Sequence, residues 1–177
     1  MSAYIRKFSR GIWEKRGLSE KSTLAEVPAD VFSRCMFTDD NKLSLWKTES
    51  TDWVENEMLI AAIICGTDGP SRADLVILDE DITNDIPGVE ILNNKGETPA
   101  EAELNDKHCD LSNLNYASVG KVAEIIVKEL INEKSNKVIR YNEKKVLGIV
   151  SRAVEAGFIK RENLSDRWRA KMDLSNK

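Results

Sequence analysis

Histidine is nearly missing from this chain: His108 is the one example in 177 residues. A zinc site built on two or more histidines is thereby excluded, and any Ser-His-Asp or Cys-His machinery must use that one side chain. Cysteine is scarce too. Cys35, Cys65 and Cys109 are an odd number, widely spaced, with no C-x-x-C pair. They provide no disulfide framework and suit a reducing cytoplasm, the expected location. Long apolar runs are also lacking. The longest, Met58 to Cys65, has eight residues and spans about 12 Å as a helix, against roughly 30 Å for a bilayer core. No membrane partner is expected. The N-terminus is basic but has no apolar h-region and no small-residue cleavage site, so it does not read as a secretory signal. Internal repeats are missing, which argues against repeat architectures.

What is present is charge, unevenly spread. Charged residues make up 32% of the chain and the formal net charge is −4. Residues 1–50 balance at +2, residues 51–116 at −12 and residues 117–177 at +6. Hydrophobic residues reach 41%, enough for a core and too much for wholesale disorder.

Local patterns predict the elements. Tyr4, Arg6, Phe8 and Arg10 alternate, and a weak strand is expected near residues 10–16. Pro28 opens a short predicted helix over roughly 28–36. Asp39-Asp40-Asn41 signals a turn before an alternating strand, Lys42 to Trp46. The clearest helix follows Ser50-Thr51 and ends at Gly66. Asp52, Glu55 and Glu57 favour its positive end, and its run is apolar nearly all round, which predicts burial. Asp68-Gly69-Pro70 turns the chain into an interior strand, Ala73 to Leu78. Residues 79–115 lose periodicity and read as a long acidic loop. The last third reads as helical. One helix is capped by Ser118 and buries Val119, Val122, Ala123, Ile126 and Leu130. A second begins near Asn142, buries Val146, Ile149, Val150, Ala153 and Val154, and stops at Gly157. A final amphipathic piece contains Arg167, Trp168 and Met172.

The fold class expected from this order is α+β: a small sheet packed on a buried central helix at about 52–65, followed by a helical C-terminal half. The division expected is an α/β core over residues 1–115, including the acidic loop 79–115, and a helical subdomain over 116–177.

Three constellations carry chemistry. Asp74, Asp79 and Asp81 are oxygen ligands near a strand end, the type a divalent cation needs. No lysine or arginine lies between Arg72 and Lys95 to assist them, and a solvated acidic turn explains them more simply, so no metal or other cofactor is expected. His108-Cys109-Asp110 puts reactive types in a row, but neighbours in sequence seldom face one another across the roughly 3 Å a Cys–His pair requires. No catalytic residue is assigned there. The basic C-terminus is the third. Lys145 and Arg152 lie opposite the apolar stripe of their helix with Lys144 beside them, and Lys160 and Arg161 follow it. The ending Ala156 to Arg161 loosely resembles the close of a recognition helix and its basic wing in winged-helix proteins, which implies contact with DNA or RNA.

The function expected first is a small cytoplasmic, non-enzymatic adaptor or regulatory protein that binds a macromolecular partner, another protein with a basic surface or a larger assembly. Trp46, Asp79, Glu80 and Asp81 are its candidate contact residues, because an aromatic beside an acidic segment makes a natural anchor. The alternative is a nucleic-acid-binding module using Lys144, Lys145, Arg152, Lys160 and Arg161.

Overall fold

The computed structural model describes residues 2–11, 36, 38–132 and 134–175. It is an α+β fold with a six-stranded antiparallel sheet. The strands are β1 (Ala3–Phe8), β2 (Leu43–Thr48), β3 (Ala73–Asp79), β4 (Glu90–Asn93), β5 (His108–Ser112) and β6 (Val138–Tyr141), in spatial order β4-β5-β2-β1-β3-β6. Among the described residues the α-helices are α1 (Glu57–Cys65), the short α2 (Ala102–Asn105), α3 (Tyr116–Ile131), α4 (Glu143–Glu155) and α5 (Asp166–Ser175). None is long and apolar enough to cross a membrane.

Both sheet faces are covered, which the period of two makes possible. Ile5, Leu75 and Ile77 point to one face, where α1, α4 and α5 pack, with Ile60, Val150 and Trp168 each 0% exposed. Tyr4, Leu45, Val76 and Leu78 point to the other, where Val122, Ala123, Ile126 and Val127 of α3 cover them. The expected burial of α1 holds, since its residues from Leu59 to Cys65 are all buried. Trp168 reaches across the first layer and donates its indole N–H to the Thr67 carbonyl at 2.8 Å.

Several boundaries differ from the sequence expectations for identifiable reasons. The alternating N-terminal strand is Ala3–Phe8, not 10–16; residues 10 and 11 are helical, and residues 12–16 lie outside those described. The helix expected over 28–36 likewise falls outside them, apart from Met36, which sits in a bend. α1 starts at Glu57 instead of Asp52. The Asp52 carboxylate accepts from the Val54 N–H at 2.7 Å, and the Asn56 amide donates to the Ser50 and Asp52 carbonyls at 2.8 Å each. These side chains satisfy the backbone locally in place of another helical turn. α3 is capped by Asn115, whose side chain accepts from Ala117 N and Ser118 N, while Ser118 closes the reciprocal bond of a capping box.

Three strands escape a hydrophobicity pattern. Residues 79–115 are not a continuous loop, since they contain β4, α2 and β5. The residues between α3 and α4, in a third of the chain expected to be helical, contain β6, which pairs with β3 in the register Leu75↔Ile139 and Ala73↔Tyr141. In β5 the face toward α1 carries His108, Asp110 and Ser112, polar residues held by side-chain hydrogen bonds. A strand with one polar, satisfied face gives little apolar signal.

Candidate functional sites at the two ends of a buried helix

Helix α1 has a cavity at each end. The first is formed where β1, β2 and β5 pass its C-terminal end. It encloses about 560 Å³ and is lined by Lys7, Ser44, Trp46, Thr67, Asn94 and His108, among others. The β2–β5 ladder sets Ser44 opposite Asp110 and Trp46 opposite His108. Ser44 and His108 are therefore diagonal neighbours on one face, within side-chain reach.

Ser44 Oγ lies 2.7 Å from His108 Nε2, and His108 Nδ1 lies 2.6 Å from the Asn94 carbonyl oxygen. The Asn94 amide donates to Asp110 at 2.8 Å, and the other Asp110 oxygen stands 4.0 Å from His108 Nε2. The Trp46 ring meets the imidazole edge-on, centroids 5.1 Å apart at 74°. Gly96 makes this approach possible, since a Cβ there would lie 2.8 Å from both the Trp46 ring and Asn105 Oδ1. Lys7 is half-buried, has no hydrogen-bond or ion-pair partner among the described residues, and is held below the usual lysine range by burial.

The second cavity is a groove of about 700 Å³ at the N-terminal end of α1, where β6 and α4 meet the turn before the helix. Its apolar lining is Trp53, Val54, Ile139, Tyr141 and Ile149, with Lys144 and Lys145 also lining it. Val54 is 79% exposed. Trp53 is pinned by its indole N–H, which donates to the Asn136 carbonyl at 2.6 Å.

The residues expected to bind a partner or nucleic acid are dispersed by the fold. Trp46 is 5% exposed and packs on His108, so it is no surface anchor. Asp79 is held by Lys137 at 2.7 Å, whereas Glu80 and Asp81 lie exposed in the turn after β3. Asp74 faces the other way, buried, and accepts from Arg140 at 2.6 Å. No group of three or more metal-ligating side chains occurs among the described residues.

On the basic side, Arg152 binds Glu57 through two contacts of 2.6 and 3.0 Å, Lys160 pairs with Glu101 at 3.2 Å, and Arg161 pairs with Asp173. Lys144 and Lys145 alone of that set carry no ion pair among the described residues. The winged-helix resemblance fails on geometry, because α3 and α4 lie on opposite faces of the sheet with β6 between them in the chain.

Cys109 sits on the face of β5 opposite His108, in the core under α3, so the two do not meet. Burial pushes its thiol up to about 11 and that of Cys65 up to about 12. Both are protonated and poor nucleophiles at neutral pH. The Ser44–His108 contact joins residues 64 positions apart, and the sequence signal that would have found it is a polar alternation in β5 read as a strand face. Compared with protein-family models, curated proteins and solved structures, the chain matches none.

Proposed function

We propose that this protein acts as an adaptor or regulator that binds a macromolecular partner in the groove between β6, α4 and the turn before α1. The observation that carries this reading is an apolar groove with Val54 exposed at its mouth, beside two lysines of α4 that carry no ion pair among the described residues. Apolar surface left in a concave setting favours an apolar anchor from a partner, and charge at the rim selects the partner's sign. Arg152 and Glu57 neutralise each other, so Lys144 and Lys145 leave the rim positive. The partner segment is therefore acidic with apolar anchors, although the chain itself is acidic on average.

The backbone suggests how such a segment docks. β6 is an edge strand. The Lys137 carbonyl accepts from Ile77 N at 2.8 Å, and antiparallel ladders alternate, so the peptide groups of Val138 and Arg140 face the open edge. An extended segment added there places alternate side chains over Ile139 and Tyr141.

The test uses ten-residue fluorescein-labelled peptides of alternating Leu–Glu and Leu–Lys, read by anisotropy across a salt series and by Trp53 fluorescence. The expected result is binding of the Leu–Glu peptide that weakens with salt and falls at least about tenfold in Lys144→Glu/Lys145→Glu. Equal binding of the Leu–Lys peptide, or binding indifferent to the double substitution, overturns the reading. A DNA duplex of similar length, run beside the peptides, tests the nucleic-acid alternative. Salt-dependent duplex binding lost in the same variant transfers the groove to that class.

A further inference from the structure

We propose that Ser44 and His108 are a serine nucleophile and its base, acting on small carboxylic esters that carry negative charge. The cavity is separated from the groove by the length of α1, nine residues or about 13 Å, and this assignment is independent of partner binding.

The protonation pattern follows from the partners. A carbonyl oxygen can only accept, so His108 Nδ1 must carry the hydrogen it shares with Asn94 at 2.6 Å. In the neutral imidazole Nε2 then holds the lone pair, and the Ser44 hydroxyl donates to it across 2.7 Å. That is the arrangement in which an imidazole can take a serine proton.

The surroundings hold both groups in place. The Asp110 carboxylate anchors the Asn94 amide at 2.8 Å, and Asn94 in turn orients the ring through its carbonyl. Arg6 donates to the Ser44 carbonyl at 2.9 Å, which steadies the strand under the nucleophile. Trp46 blocks ring rotation from the side. Asp110 and Asn94 are positioning residues; the groups that would touch substrate are Ser44, His108 and Lys7. The other charged side chains at the same cavity are Arg6, which is held on the Ser44 carbonyl, Lys95, tied to Asp106 at 3.0 Å, and the exposed Glu97. Lys7 is half-buried and has no hydrogen-bond or ion-pair partner among the described residues, an ammonium that gains from an anion more than a solvated one does. It sets the preference for a substrate bearing a carboxylate.

In the reaction, Ser44 Oγ attacks the acyl carbon as its proton passes to Nε2. The tetrahedral oxyanion collapses, the alkoxide leaves, and Nε2 returns the proton to it as alcohol. Water then loses a proton to Nε2, attacks acyl-Ser44, and releases the carboxylic acid while Ser44 regains its hydrogen. One ester and one water give one acid and one alcohol.

A purely structural cross-strand hydrogen bond would leave Ser44 inert, and the two cases separate in one experiment. The full chain is incubated with 4-nitrophenyl acetate and with mono(4-nitrophenyl) succinate. Release of 4-nitrophenolate is followed, and peptide mass mapping locates the acyl group. The expected result is acylation on Ser44, lost in Ser44→Ala and slowed at least about 100-fold in His108→Gln. Lys7→Ala lowers the succinyl-to-acetyl rate ratio about tenfold, the size of a typical charge-assisted contact. No acyl mass on Ser44, an acyl group stable on Lys7, or release unchanged in Ser44→Ala overturns the assignment. Should His108→Gln fail to fold by circular dichroism, Ser44→Ala decides alone, since it removes one exposed oxygen from a strand surface. Failure here leaves the groove proposal standing.

Discussion

At the scale of single residues, burial settles which reactive side chains are available. Cys65 and Cys109 are buried, and their thiols are pushed up to about 12 and about 11. A group whose folded pKa is raised contributes stability that is complete below the unfolded thiol value of about 8.5 and is lost as pH rises through the folded value. Urea midpoints are therefore expected to fall between pH 8 and pH 11, and the fall should be shallower in Cys65→Ala and Cys109→Ala; equal slopes would contradict it. Gly96 makes the second prediction. Any Cβ there meets Trp46 and Asn105 at 2.8 Å and His108 Cβ at 3.2 Å, so Gly96→Ala should cost about 1–3 kcal/mol by overpacking, measured by thermal unfolding. His108 itself shows how far sequence reading reaches. Its separation from Cys109 was legible, because adjacent strand residues point apart. Its contact with Ser44 was not, because strand pairing between β2 and β5 is a tertiary choice.

Elements are stabilised by their ends as much as by their apolar stripes. The Asn115 cap and its reciprocal bond with Ser118 begin α3, and Asn115→Ala should destabilise the protein by about 1 kcal/mol in urea unfolding. Ser118 was the expected cap. It takes part at the third helical position instead, a shift of the ordinary size for helix boundaries. The α1–α4 contact carries a testable pH signature. Hydrogen bonding to Arg152 holds the Glu57 carboxyl below the usual carboxylate range. A depressed folded pKa contributes stability that is present above the unfolded value of about 4.3 and lost as pH falls through the folded one. Both side chains are partly exposed, so Arg152→Met should cost no more than about 1 kcal/mol at pH 7, and the difference from wild type should vanish near pH 3 and shrink in salt. A penalty that persists at pH 3 would assign the contact to packing of the arginine stem instead.

Across the whole molecule, folding sets part of the acidic middle directly against the basic third. Lys137, Arg152 and Lys160 of the basic third pair with Asp79, Glu57 and Glu101 of the acidic middle, at 2.7, 2.6 and 3.2 Å. The two blocks become neighbours because β6 joins β3 and α4 packs on α1. Among the described residues, Glu80, Asp81, Asp85, Glu97 and Glu103 stay exposed and without an ion pair on the acidic side, while Lys144 and Lys145 keep no ion pair beside the groove. Substituting both with glutamate should shift stability by no more than about 0.5 kcal/mol, since exposed positions off such features are nearly neutral. It should nonetheless weaken Leu–Glu peptide binding at least about tenfold, so comparing unfolding curves with binding isotherms separates a docking role from a structural one.

The sequence by itself determined the fold class and the burial of α1, because an apolar run bounded by turn residues has few alternatives to the core. It also determined the helices of the last third and that any histidine chemistry falls to His108. Only the tertiary structure decided which charges are spent on one another, that Trp46 is hidden, and that Ser44 meets His108. Each depends on strand order and register. Pairings between distant segments are chosen by the burial of the whole sheet, and no local run of residues encodes them.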